Sequence, residues 1–351
     1  MASAPDPTRP AASAAGKLAN WWRRFRTLRD EPPQLEGWLF GTLSILGVLG
    51  IWWLVTLGEP GERWVAPYTL PSPADTFASF PELWTERGLS LSALTSLLRV
   101  CGGFVIAAAI GVPLGLLSGS YPRVGAFFKP FGIFGRNIPI AALIALTLVW
   151  FGLGELQKVM FIFLSAVAFV LFDSTSAARA VPDRFLETAY TLGAKHNWTK
   201  GLRLSAIIAA VYALLASVGW SWLKEDSTLA EQVATSGFWI RAVVGFTLGF
   251  GLWFPLLSHQ VLRKVVVPMA MPDVVNSLRL LFGLAFGYIM LAEVINAKRG
   301  LGALIIASER QGPREHIYLC LIIIALLAWG IDRFILLVQR QAFPYLKHGQ
   351  N

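Results

Sequence analysis

The sequence predicts an all-α, polytopic transmembrane helical bundle, and three observations support this fold class. Of the 351 residues, 55% are hydrophobic and only 15% are charged, whereas soluble domains carry about a quarter charged residues. The apolar residues fall into runs long enough to cross a bilayer, which takes about 20 residues in a helix. The 14 Trp and 23 Phe are typical of a lipid-facing surface with aromatic anchors at the membrane interfaces.

Eight apolar runs predict the membrane spans. They cover residues 37–57, 94–117, 133–150, 159–172, 202–223, 238–257, 274–295 and 317–338. An even number of spans places both termini on the same side of the membrane. The basic N-terminal flank, Arg123, Lys129 and the segment 179–200 also fall on that side, and the positive-inside bias identifies it as the cytoplasm. The basic loop 298–315 departs from this bias.

Charge and composition argue against several other classes. The net charge of +9 does not indicate a nucleic-acid partner, because the basic residues cluster at the ends of apolar runs, as in cytoplasmic loops. Cys101 and Cys320 lie inside apolar segments, so we expect free thiols. The four His are scattered without metal-ligand spacing, so we expect no metal and no cofactor. A phosphate-binding Gly-x-x-x-x-Gly-Lys-Ser/Thr loop is absent from the sequence, so any ATPase that drives this chain is another polypeptide.

The first 36 residues read as a cytoplasmic tail that precedes a transmembrane domain, residues 37–351. Residues 1 to about 20 are rich in Ala, Pro and Ser, which is typical of disorder. Residues 21–30 are basic and aromatic, which favours an interfacial helix. Since no apolar core or small-residue cleavage site follows closely, we do not expect a cleavable signal.

Two polar segments, 187–194 and 265–272, are ordinary when each is considered alone. The first reads Glu-Thr-Ala-Tyr-Thr-Leu-Gly-Ala and the second Val-Val-Val-Pro-Met-Ala-Met-Pro. A Glu that begins a short amphipathic helix ending at a Gly is common helix punctuation. Considered together, the two segments resemble the cytoplasmic coupling loop of ABC importer permeases. The residues that match that pattern are Glu187, Ala189, Gly193, Ala194 and Pro268, and Thr188 stands where the family usually has Ala.

Further segments resemble the nitrate/sulfonate/taurine branch of these permeases. They are Leu70–Pro73, Ser96–Val100, Gly111–Gly115, Arg136–Pro139, Leu148–Glu155, Ser277–Leu280, Ala292–Glu293 and Gly300–Gly302. The resemblance covers a core of residues 70–200 and 261–345. The family often has a second proline soon after the one that matches Pro139, and Ala145 stands in its place here.

The resemblance implies a bacterial inner-membrane transport subunit that has no catalytic residues of its own. Its expected partners are an ATP-binding cassette ATPase, a periplasmic or lipid-anchored solute-binding protein, a second permease copy and the lipid bilayer. The expected cargo is a small, anionic solute. The alternative is a non-transporting membrane scaffold or sensor built on the permease fold. A secondary transporter would leave the paired coupling segments without a use.

Residues 201–260 interrupt the coupling loop between Gly193 and Pro268. The interruption holds two apolar runs joined by a charged linker, 224–231, and its flanks are basic. This pattern predicts a helical hairpin that enters from the cytoplasm, turns outside and returns, which brings the two halves of the loop to one membrane face. Three tryptophans leave open an alternative in which the helices lie in the interface; they are Trp220, Trp222 and Trp239.

Charged residues in the spans are candidates for the translocation path, namely Arg279, Glu293 and Arg136. A charge inside the membrane costs roughly 2.5–3.5 kcal/mol on insertion scales and usually faces a cavity or a partner. Arg279 on the path would attract an anion. The alternative is that Arg279 pairs structurally with Glu293 or another chain, or extends to the interface. Arg136 and Arg99 lie nearer span ends, which favours anchoring roles.

Overall fold

The computed structural model describes residues 25–27, 32–59, 61, 63–223, 236–295 and 298–344. Within these ranges the chain forms α-helices, one π-helical turn and a single isolated β-bridge, which confirms the all-α fold class. Most of the predicted tail 1–36, its interfacial helix 21–30 and the charged linker 224–231 lie outside the described residues.

The α-helices are numbered here in chain order. They are α1 Gln34–Val55, α2 Pro73–Ala78, α3 Phe80–Thr85, α4 Leu89–Ser120, α5 Pro122–Asn137, α6 Ile140–Phe151, α7 Glu155–Arg179, α8 Asp183–Thr191, α9 Trp198–Leu223, α10 Ser236–Ser258, α11 Val267–Val294, α12 Leu301–Gln311 and α13 Arg314–Ala342. The π-helical turn, Leu262–Val266, leads directly into α11.

The chain divides into two units, residues 1–74 and 75–351. In the first unit, α1 is long and apolar enough to cross a membrane. The Trp52 indole N–H donates a hydrogen bond of 3.0 Å to the Pro71 carbonyl, which ties the following segment back to the end of the helix. All features described below belong to the second unit.

The described part of the chain has seven helices that could each cross a membrane, and an eighth candidate is a bent pair of helices. This agrees with the polytopic bundle predicted from the apolar runs. The predicted third span, 133–150, falls on this bent pair and is not one continuous helix, because α5 and α6 meet there at an angle of 105°. The break lies at Pro139, which has no N–H to donate and which holds the preceding Ile138 in an extended conformation, with φ −69° and ψ 127°.

Helices α4 and α7 pack with almost no space between their backbones. A Cβ added to any of four glycines of α4 would come within 3.0 Å of α7; they are Gly103, Gly111, Gly115 and Gly119. At Gly115 the nearest atoms would be the Ser174 Cβ at 2.4 Å and the Leu171 carbonyl oxygen at 2.6 Å. These four glycines therefore permit close contact between the two helices, whereas Gly102 meets α7 at an ordinary 3.7 Å. Small residues permit this approach within membranes.

Helices α9 and α10 form the pair that occupies residues 201–260. Gly245 and Gly249 lie against Tyr212, leaving less than 3.0 Å for an added Cβ. The Tyr212 hydroxyl donates to the Ala109 carbonyl, near the middle of α4, and accepts a 3.0 Å hydrogen bond from the Trp253 indole. The pair therefore lies alongside a membrane-spanning helix, and both of its helices are long enough to span. Its topology across the membrane stays a prediction.

The segment 298–315, expected to be a basic loop, contains the helix α12. Two contacts hold α12 and the start of α13 against α3 and the turn that follows it. The Arg87 guanidinium donates to the Gln311 side chain, and the buried His316 ring lies 3.5 Å from the Glu82 carboxylate. The sequence did not predict this helix because it is too short to read as a span.

Candidate functional site

The segment singled out from the sequence forms a short exposed helix, α8, which follows α7 after a turn at Pro182. None of its residues is buried. It ends at Gly193, which has a φ of +78° and donates to the Tyr190 carbonyl at 3.0 Å. A left-handed residue after the last turn is a common way to end a helix, and glycine adopts it without a Cβ clash. Leu192 beside it is 82% exposed, so the end of α8 presents apolar surface.

A short antiparallel contact, here called the neck, closes the α9–α10 pair at its base. His196 and His259 form an isolated antiparallel β-bridge, and the Asn197 amide donates to the Ser258 carbonyl at 2.8 Å. Burial, and secondarily the neighbouring His196, hold the pKa of the His259 imidazole below its ordinary value. The neck brings the chain back beside α8 after the pair, and the π-helical turn that precedes Pro268 contacts α8.

At the opposite ends of α7 and α11 lies a buried group of charges, here called the Arg99 cluster. Its members are Ser96, Arg99, Glu155, Lys158 and Glu293. Arg99 donates to both carboxylate oxygens of Glu155, at 2.5 and 2.6 Å, and to Glu293 at 2.7 Å. Lys158 adds a 3.2 Å contact to Glu155. Two cations face two carboxylates, so the cluster carries no net formal charge.

The Glu293 carboxylate is fully buried and well supplied with donors. Besides Arg99, it accepts hydrogen bonds from the Ser96 hydroxyl at 2.7 and 2.8 Å and from the Gly302 amide at 2.9 Å. The Ser96 oxygen in turn accepts the Leu301 amide at 2.9 Å. A Cβ at Gly300 would lie 2.5 Å from the carboxylate carbon, so only glycine fits there. The first turn of α12 is therefore built around this side chain.

The three predicted path residues do not come together. Arg279 forms an ion pair with Asp332 of α13 at 3.1 Å, and its distance from Glu293 along α11 is roughly 21 Å for 14 residues at about 1.5 Å each. The Arg136 guanidinium lies over the Phe172 ring, 4.0 Å from its centroid. The alternative pairing of Arg279 with Glu293 is therefore wrong. Among the described residues, no group of three or more His, Cys, Asp or Glu could hold a metal ion.

The expectation that Arg99 anchors a span end is also wrong. Its side chain is 5% exposed and lies between α4, α7 and α11. Sequence reasoning missed the Arg99 cluster because its partners are 56 and 194 positions away. One signal was available in the sequence. Arg99 is a cation and Glu155 and Glu293 are anions, and each lies in a segment that resembles the permease branch, so the charges could have been matched with one another.

Comparisons with known proteins agree with this architecture. A family model described as binding-protein-dependent transport system inner membrane component matches residues 111–249 and 257–344. The putative aliphatic sulfonates transport permease SsuC of Bacillus subtilis is 23% identical over 335 residues, covering 95% of this chain and 97% of the relative. The bicarbonate transport permease CmpB of Synechococcus elongatus is 29% identical over 227 residues, covering 63% of this chain and 78% of the relative.

A solved structure shares the fold. A chain of the methionine ABC transporter MetNI, in an inward-facing conformation, superposes with a TM-score of 0.50 and 16% identity, covering 74% of this chain and 99% of that chain. The family match extends over most of α4 to α13, including both coupling segments and the Arg99 cluster apart from Ser96 and Arg99 themselves. This chain belongs to the family of binding-protein-dependent transport system inner membrane components and is an ABC transporter permease.

Proposed function

We propose that this permease imports a small anionic solute across the bacterial inner membrane and that a separate ATPase drives it through residues 187–194. The observation that carries the proposal is the exposed α8 with its apolar end beside the neck. A partner that grips this helix would act directly on α7, which continues into α8 after a turn, and on α11, which begins at the adjacent π-helical turn.

Family membership supports the remaining partners. Proteins of this family work with a solute-binding protein, as the family description states. We infer that the working assembly contains two ATPases and a second permease copy, and that both termini of each permease are cytoplasmic. In this assembly Glu187, Ala189, Gly193, Ala194 and Pro268 form the surface that meets the ATPase.

The anionic cargo is supported by the relatives and by the charges of the chain. SsuC and CmpB are named for aliphatic sulfonates and bicarbonate, which are both anions. Arg279 is the favoured attracting group, because its ion pair with Asp332 is partly open, with side chains 19% and 38% exposed. Arg136 and Glu293 are less suited to this role, since the first lies on aromatic rings and the second is enclosed by donors.

The scaffold alternative rested on the interruption of the coupling loop. If residues 201–260 pushed the two halves of the loop apart, an ATPase would have no continuous surface to grip. The neck argues against this, because its 2.8 Å backbone hydrogen bond closes the α9–α10 pair at the base. The pair is thus an addition beside the coupling surface and leaves α8 exposed.

The test is ATPase association with a Gly193→Val variant. Nothing lies within 4 Å of a Cβ at Gly193, so valine fits, but the left-handed backbone disfavours it by roughly 1–2 kcal/mol. The end of α8 should change shape, and co-purification of the ATPase should fall by about fivefold to thirtyfold, since about 1.4 kcal/mol is a factor of ten. The matched control is Gly312→Val. Gly312 also has a positive φ, +107°, and open space around an added Cβ, but it follows the last residue of α12 and belongs to neither coupling segment. Normal association of Gly193→Val would remove this segment from the coupling role.

A further inference from the structure

Helices α7 and α11 each join the coupling surface to the Arg99 cluster. α7 begins at Glu155 in the cluster and ends at Arg179, just before α8. α11 begins beside the coupling surface at Pro268 and reaches the cluster at Glu293. Each path covers about 25 residues, or roughly 37 Å at about 1.5 Å per residue. The two ends of both helices are therefore separated by approximately the thickness of a membrane.

Helix α4 cannot move independently of α7. The four glycines of its seam leave no room for even a methyl group between the helices, and close-packed surfaces of this kind shift as units. Arg99 adds two short hydrogen bonds to Glu155 at the first turn of α7. The Arg99 guanidinium is therefore held in one position relative to both α4 and α7.

The same guanidinium connects this pair to α11 and α12. One nitrogen of Arg99 donates both to Glu293 of α11 and to the Arg299 carbonyl in the turn before α12, each at 2.7 Å. Ser96 of α4 makes a parallel connection, since it donates to Glu293 and accepts the Leu301 amide. Two side chains of α4 therefore hold the end of α11 and the start of α12 in one place.

Breaking the contacts among these buried side chains costs a large free energy. Arg99, Ser96 and Glu293 are each at most 4% exposed, so separating them would leave charges in a low-dielectric interior without water to replace the lost partners. While the contacts among Arg99, Ser96 and Glu293 persist through the transport cycle, α7 and α11 move together at this end.

We propose that Arg99 is a positioning residue that locks the far ends of α7 and α11 together, so that movement imposed on α8 by the ATPase is transmitted across the membrane to α12. This inference rests on the proposed function, because it takes the ATPase to act on α8. It assigns no contact with the solute to Arg99. Without the contacts among Arg99, Ser96 and Glu293, ATP binding would still move α8, but α12 at the other membrane face would no longer follow.

The test uses a reporter on α12 and needs no transported solute. The permease carries Cys101→Ser and Cys320→Ser together with a spin label at Arg310→Cys, a position that is exposed near the end of α12. The complex with its ATPase is placed in lipid nanodiscs, and the spectrum of the label is compared without nucleotide and after trapping with ATP and vanadate. The variant is Arg99→Met/Glu293→Gln, which removes one charge of each sign and leaves the Glu155–Lys158 pair.

We expect trapping to change the label spectrum in the parent complex, and the variant to lose at least four-fifths of that change while it still binds the ATPase and hydrolyses ATP. The matched control is Gln157→Leu/Thr147→Val, which removes a buried 3.0 Å hydrogen bond between α6 and the first turn of α7, leaves the Arg99 cluster and α12 intact, and should retain the change. Arg99→Lys keeps the charge balance but loses the two-pronged contact, and it replaces the double variant if that variant does not assemble.

Each outcome decides a separate claim. A variant with the full spectral change, or a parent complex whose label does not respond to trapping, overturns the role of Arg99. Failure of the parent permease to bind any ATPase overturns the proposed function instead.

Discussion

Replacing Arg99 alone by methionine leaves the Glu293 carboxylate buried without its cation. The Glu293 side chain has no exposed surface and that of Arg99 has 5%, so neither water nor ions can compensate for the loss. Removing one partner of a buried ion pair costs roughly 3–5 kcal/mol. We expect Arg99→Met to lower the free energy of unfolding by about that amount. The double variant Arg99→Met/Glu293→Gln should recover at least half of it, because no carboxylate is then left stranded on α11.

The assay is denaturant-induced unfolding of the purified permease in detergent micelles, followed by tryptophan fluorescence. The parent, both single variants and the double variant form a thermodynamic cycle whose coupling energy isolates the Arg99–Glu293 interaction. We expect a coupling energy above about 1.5 kcal/mol, within the usual range for contacting residues. A cost below about 1 kcal/mol for Arg99→Met is typical of exposed ion pairs and would refute the burial argument.

Further predictions concern other parts of the molecule. Gly115→Ala should destabilise the α4–α7 seam by about 1–3 kcal/mol in the same unfolding assay, whereas Gly102→Ala, with 3.7 Å available, should be neutral; equal effects would contradict the seam. Because the pKa of His259 lies below its ordinary value, its contribution to the stability of the neck is fully present above a pH of about 6.5 and is lost as the pH falls through the lowered pKa. The protection factor of the Asn197 amide, its exchange rate relative to that of an unprotected amide at the same pH, should therefore fall on acidification, and His259→Phe should abolish this dependence. Arg279→Gln should reduce solute uptake without loss of ATPase association; unchanged uptake would remove Arg279 from the path.

The membrane fold could be predicted because hydropathy depends only on local sequence. The positions of the long apolar helices follow from runs of about 20 residues. Local chemistry also gave the positive φ of Gly193, since a glycine that closes a short amphipathic helix commonly adopts it. The bend at Pro139 was equally readable, because proline lacks an N–H, but the apolar run continues through it and hides the break.

The Arg99 cluster could not be predicted, for two physical reasons. Its members are brought together by tertiary packing of α4, α7 and α11, and one sequence carries no record of which helices are neighbours. In addition, a charge near the end of an apolar run reads as an interfacial anchor unless its partners are known. The apolar run places Arg99 near its first residue. Helix α4, however, runs from Leu89 to Ser120, so ten helical residues precede Arg99 and its side chain is enclosed.

Uptake by proteoliposomes that contain the permease and the ATPase that co-purifies with it will decide whether this permease is an ATP-driven anion importer. Radiolabelled bicarbonate and an alkanesulfonate, each supplied with its solute-binding protein, serve as probes. We expect one of these anions to accumulate only when ATP is present on the ATPase side, and we expect Gly193→Val, unlike Gly312→Val, to abolish accumulation. Uptake driven by an ion gradient without the ATPase, or unchanged uptake by Gly193→Val, would contradict this expectation.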